Sequence, residues 1–248
     1  RRKSDEDWLC WALGYPSLAS GAIFRRNDLK TITCNLCERE GKDCIPYKWG
    51  YCKLIEMYEL GDENNPIGNI IDIKAGFDYG DPAPCALVIG GIRQHKGVQI
   101  IFVLYADEQK GLGEIELIQW ITNKLTLYKA ETFNPDPSIG GNYVKERIDE
   151  AGFTVTVLDE SAKEERISNV KAIVEHHNII IPIAYWHLLN SLRVVHRDPQ
   201  GKIIKRHDHS FDALCYLCSD WGELEANVQD VFDAVLEHLG MQENKQRT

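Results

Sequence analysis

Apolar positions alternate or run together in three successive stretches, residues 70–78, 85–92 and 98–105, each bounded by glycine, proline or polar turn residues. The turn Gln94-His95-Lys96-Gly97 joins the second to the third, so the pattern predicts three consecutive antiparallel strands. Beyond them the period lengthens. Ile115, Ile118, Ile121 and Leu125 recur at helical spacing and predict a helix over 112–128. A short strand at 132–134 and a helix at 141–150 follow, the helix carrying Val144 and Ile148 inward and stopping at Gly152. Residues 153–158 read as another strand, 161–177 as a helix through Ile167, Val170 and Val174, and 179–181 as a buried strand ended by Pro182. Residues 192–205 read as two short extended arms around the turn Asp198-Pro199-Gln200-Gly201. Three antiparallel strands followed by alternating helices and strands imply an α/β fold, a mixed sheet with helices on both faces.

Residues 1–65 lack this regularity, being broken by Gly14, Pro16, Gly21 and the polar run at 61–66, and are expected to form a connector and Cys-rich appendage. The main domain is expected over 66–240, where Leu224, Val228, Val231, Val235 and Leu239 close it with a helix that packs on the domain or docks a partner, and 241–248 form a flexible tail. With 248 residues, one sizeable core is the simplest partition. Neither a bilayer-spanning run nor a secretory signal is present, and the start without Met reads as a fragment of something longer.

A net charge of −10 argues against a protein that coats nucleic acid through its overall field. Any such contact must be local, and the stretch holding Arg193, Arg197, Lys202, Lys205 and Arg206 against the single acid Asp198 is the place for it, unless it is only a solvated hairpin face. Eight cysteines are too few for a disulfide scaffold in a chain this long. Cys34, Cys37, Cys44 and Cys52, spaced C-x2-C-x6-C-x7-C, are close enough for one structural zinc ion, the alternative being simple thiols. Cys215 and Cys218 lie in an apolar helical stretch and read as core. The six tryptophans are scattered, which favours packing over a base-stacking platform.

Candidate chemistry concentrates at His207-Asp208-His209-Ser210-Phe211-Asp212. Asp208 and Asp212 sit one helical turn apart with His209 between them, at the start of a helix directly after the basic arms. Such acids either cap the helix and favour its dipole or share a hard divalent cation. Asp78 closes the first strand between glycines 76 and 80, and Asp136 closes the short strand at 132–134, so the fold could bring both to this cluster.

The order and wording of these residues resemble the nuclease domain of the large terminase subunit of tailed viruses, an RNase H-like family. The resemblance runs over about 70–221. It rests on glycine-flanked Asp78, on Asp136 followed by Val144-Lys145-Glu146-Arg147-Ile148 and Ala151-Gly152-Phe153, on 171–192 with its Ile-Pro step, and above all on 207–214. Upstream, 8–24 is similar to the connector leaving the family's ATPase domain. The resemblance implies an RNase H-like fold and cleavage of concatemeric double-stranded viral DNA during genome packaging in the host cytoplasm. It implies two Mg²⁺ or Mn²⁺ ions, with Asp78 as bridging ligand, Asp136 on one ion, and His209 with Asp212 on the other, Asp208 being a further ligand candidate. Lys202, Lys205 and Arg206 would seat the duplex backbone. His209 stands where many relatives carry a second adjacent aspartate and others a histidine, which leaves the split of ligands among Asp208, His209 and Asp212 open. No G-x-x-x-x-G-K-[ST] occurs, so the ATPase implied as a partner lies outside this chain, as do the portal and small terminase subunit. Competing expectations are an RNase H-like junction resolvase or transposase nuclease, with a similar acid triad, and a zinc-stabilised DNA-binding packaging adaptor whose acids are structural.

Overall fold

The three apolar stretches form the centre of a seven-stranded mixed sheet. The structure, a computed structural model, describes residues 21–48, 52–65, 67–95, 98–204 and 209–221. In chain order its elements are α1 (Arg26–Ile32), β1 (Thr33–Cys34), α2 (Leu36–Arg39), α3 (Lys53–Met57), β2 (Ile71–Asp78), β3 (Cys85–His95), β4 (Val98–Gln109), α4 (Glu114–Tyr128), β5 (Thr132–Pro135), α5 (Ile139–Glu150), β6 (Thr154–Val155), α6 (Lys163–Glu175), β7 (Ile179–Pro182), α7 (Trp186–Val194), β8 (His196–Arg197), β9 (Ile203–Ile204) and α8 (His209–Leu217). The sheet runs β1-β7-β4-β3-β2-β5-β6. β2, β3 and β4 are antiparallel as the pattern predicts, while β5 and β6 on one side and β7 and β1 on the other are added in parallel.

Period-two alternation divides the side chains between two cores. Ile73, Ala75 and Phe77 of β2, Leu87 and Ile89 of β3, and Phe133 of β5 face α4 and α5, where Leu117, Ile121, Leu125, Val144 and Ile148 cover them. Ala86 and Val88 of β3 and Ile101 and Val103 of β4 face the other way, onto α1, α6, α7 and α8. Burial on both faces explains why β4 reads as an almost unbroken apolar run. The even-numbered positions of β2 therefore look toward α8, and Gly76 is the point of closest approach. A Cβ there would overlap the Ala213 carbonyl oxygen and the Leu217 backbone nitrogen and stand 2.9 Å from the Leu217 Cα. Only glycine admits the helix at this distance.

A β-bulge re-aims the end of β4. Ile89 pairs with Tyr105 and Gly90 with Val103, so Leu104 is the extra residue, and beyond it Ala106 and Glu108 turn to the α8 side. Where the sequence predicts a strand over 153–158, only Thr154 and Val155 pair, against Thr132 and Phe133 of the short β5, and Val157 is exposed. The helix expected over 161–177 begins with a 3₁₀ turn at Glu160–Ala162 and ends before His177, whose φ of 58° breaks it. The basic arms are realised as the short β8–β9 ladder, with Asp198 Oδ1 accepting from the Gln200 and Lys202 backbone N–H groups across the turn.

Of the segment expected as an appendage, the described residues 21–48 and 52–65 join the main domain, with β1 added to the same sheet by parallel pairing with β7, while 1–20, including most of the stretch similar to the connector, lie outside the described residues. Phe24, Leu29 and Ile32 enter the α8-side core and Leu54, Ile55, Tyr58 and Leu60 the opposite one, with the Phe24 ring edge-on to Phe211 at 5.7 Å. The helix expected at the C-terminus (223–239) lies outside the described residues. Among the described residues no helix is long and apolar enough to cross a membrane.

Candidate active site

Register sets the first two acids side by side. β2 and β5 run parallel with Gly76 opposite Asn134 and Phe77 opposite Pro135, and the Asp136 N–H donates to the Phe77 carbonyl at 2.8 Å. Asp78 and Asp136 therefore follow matched positions at the same end of adjacent strands. The α8 helix, let in by Gly76, lies across that end and brings His209 and Asp212 to the same place. Asn134 fixes it there, its Nδ2 donating to the Tyr216 carbonyl at 3.0 Å and to Ser219 Oγ at 3.3 Å. Beyond the helix, Trp221 Nε1 donates to Asp72 Oδ2 at 2.6 Å, and the Lys74 ammonium lies over the Trp221 ring.

His209 Nδ1 donates to Asp78 Oδ2 at 2.8 Å, which orients the imidazole. The Lys163 ammonium, at the start of α6, stands 3.3 Å from Asp212 Oδ2. Asp136 accepts from the Ser138 backbone N–H at 3.0 Å, from Ser138 Oγ at 2.6 Å and from the Tyr216 hydroxyl at 3.2 Å, while Ser138 in turn caps α5. Above Tyr216 lies the buried Arg166 guanidinium, 5.4 Å from the ring centre. Glu108, turned inward by the bulge, accepts from the Ser210 N–H at 3.3 Å and Ser210 Oγ at 2.6 Å, and its other oxygen lies 3.8 Å from His187 Nδ1.

The electrostatics follow from burial. Asp78 is pushed up to about 6 by desolvation, with Asp212 and Asp136 pushing the same way and its His209 bond opposing them. Tyr216 is driven well above its ordinary value by burial, then by Asp136, Asp212 and Asp78. Asp136 and Asp212 thus both lie close enough to Asp78 to act on its charge, with Lys163 beside Asp212 and Arg166 beside Tyr216 as neighbouring cations. Hard oxygen donors of this kind suit Mg²⁺ or Mn²⁺. Among the described residues, no three His, Cys, Asp or Glu side chains are closed to the separation that a single ion imposes. Asp208, Lys205 and Arg206 lie outside the described residues.

Of the remaining predicted contacts, Arg193 ends α7, and Arg197 pairs with Glu164 at 2.6 Å and donates to the Gly201 carbonyl at 2.8 Å. Because Glu164 adjoins Lys163, the hairpin is tied to the helix whose first turn reaches Asp212. Cys215 and Cys218 are core residues, as the apolar pattern implies. The four N-terminal cysteines gather at the β1 edge, with Cys34 and Cys44 raised by burial to about 12 and about 11. Lys163, Tyr216, Asn134 and Glu108 escape a reading of the sequence. Tyr216 alone carries a signal, its spacing of four from Asp212 on one helix face.

A family model described as the terminase RNaseH-like domain matches residues 80–220. This chain belongs to that family. Solved terminase structures share its fold. The nuclease domain of the P22 large terminase superposes with a TM-score of 0.55 at 16% identity, covering 86% of this chain and 98% of that one. The large terminase nuclease of thermophilic phage G20c gives 0.52 at 16% identity, over 81% and 99%. The large terminase of thermophilic bacteriophage D6E gives 0.52 at 15% identity, over 66% of this chain, which spans only 44% of that protein. Comparison with curated proteins gives no match. The terminase RNaseH-like domain thus combines the mixed sheet read from the sequence with a pocket of acids at the joined ends of β2 and β5.

Proposed function

We propose that this terminase domain is a divalent-metal-dependent endodeoxyribonuclease that cuts concatemeric double-stranded viral DNA during genome packaging. What carries the reading is the convergence of Asp78, Asp136 and Asp212 in one pocket at the end of the sheet, in a chain of the terminase RNaseH-like family. Asp78, Asp136, Asp212 and His209 are the candidates to hold two Mg²⁺ or Mn²⁺ ions, with Asp208 as a further one. Ions bound there would supply an acidified water and offset the extra negative charge of a pentavalent phosphate.

The chain's own groups prepare the site. His209 holds the Asp78 carboxylate at a fixed angle, and the Tyr216 hydroxyl and Ser138 do the same for Asp136. Lys163 offsets the charge of Asp212. Lys202, with Lys205 and Arg206 next to it in sequence, seats the phosphate backbone, so cleavage has little sequence preference. An ATPase module of the same polypeptide, the portal and the small terminase subunit are its expected partners in the host cytoplasm. The D6E relative, more than twice the matched length, is in keeping with that.

The test is relaxation of supercoiled plasmid in Mn²⁺. We expect cutting by the native protein and none by Asp78→Ala or Asp212→Ala, each shown by circular dichroism to be folded. DNA binding without cutting at any divalent concentration would instead favour a packaging adaptor. Selective cutting of branched DNA would favour a resolvase.

A further inference from the structure

Cys34, Cys37, Cys44 and Cys52 lie at the β1 edge of the sheet, separated from β2 by β7, β4 and β3. We propose that these four thiols are the ligands of a structural zinc ion that fastens edge strand β1 to the stretch running from α2 to the start of α3.

Proximity is the first support. Cys34 is within electrostatic reach of Cys52, Cys44 and Cys37, Cys52 of Cys37, and the Cys44 thiol hydrogen-bonds to Cys37. None of the four is tied up in a disulfide. Their chain positions form a frame: Cys34 ends β1, Cys37 lies in the α2 turn, and Cys52 immediately precedes α3. After Cys37 the chain reverses through Gly41 at φ 70°, the Lys42 N–H returning to the Cys37 carbonyl at 2.9 Å.

The donors around the sulfurs are the second support. The Lys53 N–H points at Cys37 Sγ at 3.5 Å. Backbone N–H groups of Leu36, Ala184 and Leu54 serve Cys34, Cys44 and Cys52 respectively. A neutral thiol is a weak acceptor, whereas a metal-bound thiolate is held by such outer donors. Backbone donors directed at every sulfur therefore form a cradle for thiolates.

An unmet donor is the third. Tyr47 is buried within reach of Cys52 and Cys34, and its hydroxyl has no hydrogen-bond partner. Thiolates drawn together around an ion would bring acceptors toward that hydroxyl. The sulfurs are not contracted to metal–ligand separation, so binding must draw them together.

Purified under reducing conditions from zinc-supplemented cells, the chain should carry about one zinc per molecule. The metal should be released by a mercurial reagent that titrates thiols. It should be retained in Asp78→Ala and Asp212→Ala, which separates it from the acidic pocket, and lost in Cys37→Ser with Cys44→Ser. Should that double variant fail to fold, Co²⁺ titration of the native chain decides. Thiolate-to-cobalt charge transfer with tetrahedral visible bands supports the site. Absence of both zinc and that spectrum overturns the proposal, as does zinc that leaves with the Asp78 and Asp212 carboxylates.

Discussion

Replacing Asp78 by Asn should stabilise the metal-free protein while abolishing its metal response. The Asp78 side chain is only 9% exposed, and desolvation followed by Asp212 and Asp136 lifts its carboxyl from 3.8 to about 6. A difference of about two pH units corresponds to about 3 kcal/mol, the destabilisation that the ionised group imposes on the folded state. Between 3.8 and about 6 the folded chain binds more protons than the unfolded one, so the stability of the metal-free protein falls as pH rises through that window. Above it the penalty is complete; below it there is none. Asn keeps an oxygen for the His209 N–H but carries no charge. Urea unfolding in chelator near pH 7.5 should therefore show the variant more stable by about 2–3 kcal/mol, or up to about 10 °C in Tm, with the gap closing toward pH 4. Added Mg²⁺ should raise the Tm of the native protein and leave the variant unmoved. A variant no more stable than native at pH 7.5, or a gap independent of pH, would refute the claim that burial, helped by the neighbouring carboxylates, penalises a charged Asp78.

Gly76→Ala would force α8 off β2 and should cost at least about 2–3 kcal/mol in urea unfolding while lowering plasmid cleavage, because the same helix carries His209 and Asp212. Tyr216→Phe deletes the hydroxyl bond to Asp136 and should lower stability by about 1 kcal/mol, read from the same denaturation curves. Lys202→Ala should weaken duplex binding equally on unrelated sequences and reduce the slope of log affinity against log salt by about one unit, measured by fluorescence anisotropy.

The fold was largely legible because its central strands are covered on both faces, so their apolar runs are long and their turns are marked by glycine and proline. Asp78 and Asp136 could be singled out for a similar reason, since each ends a strand whose length the pattern defines. What stayed hidden depends on contacts between distant segments. The paired length of β6 is set by the short β5, and the inward turn of Glu108 by an extra residue at Leu104 that no periodicity announces. Lys163 meets Asp212 across 49 positions, and only the packing of α6 against α8 makes that pair. Residues 21–65 looked irregular because their strand is two residues long, too short for alternation to show. Family likeness reached the acids; it did not reach the cations and hydroxyls that hold them.

The bond between His209 and Asp78 joins residues 131 positions apart, and Asp136 enters from a third segment in between. Pairings of such high sequence separation form late, after the loops between them have closed. The chain therefore carries all three aspartates yet has no pocket until α8 docks on β2. The acidic pocket is thus a product of the finished fold, absent from every stage at which β2 and α8 stand apart.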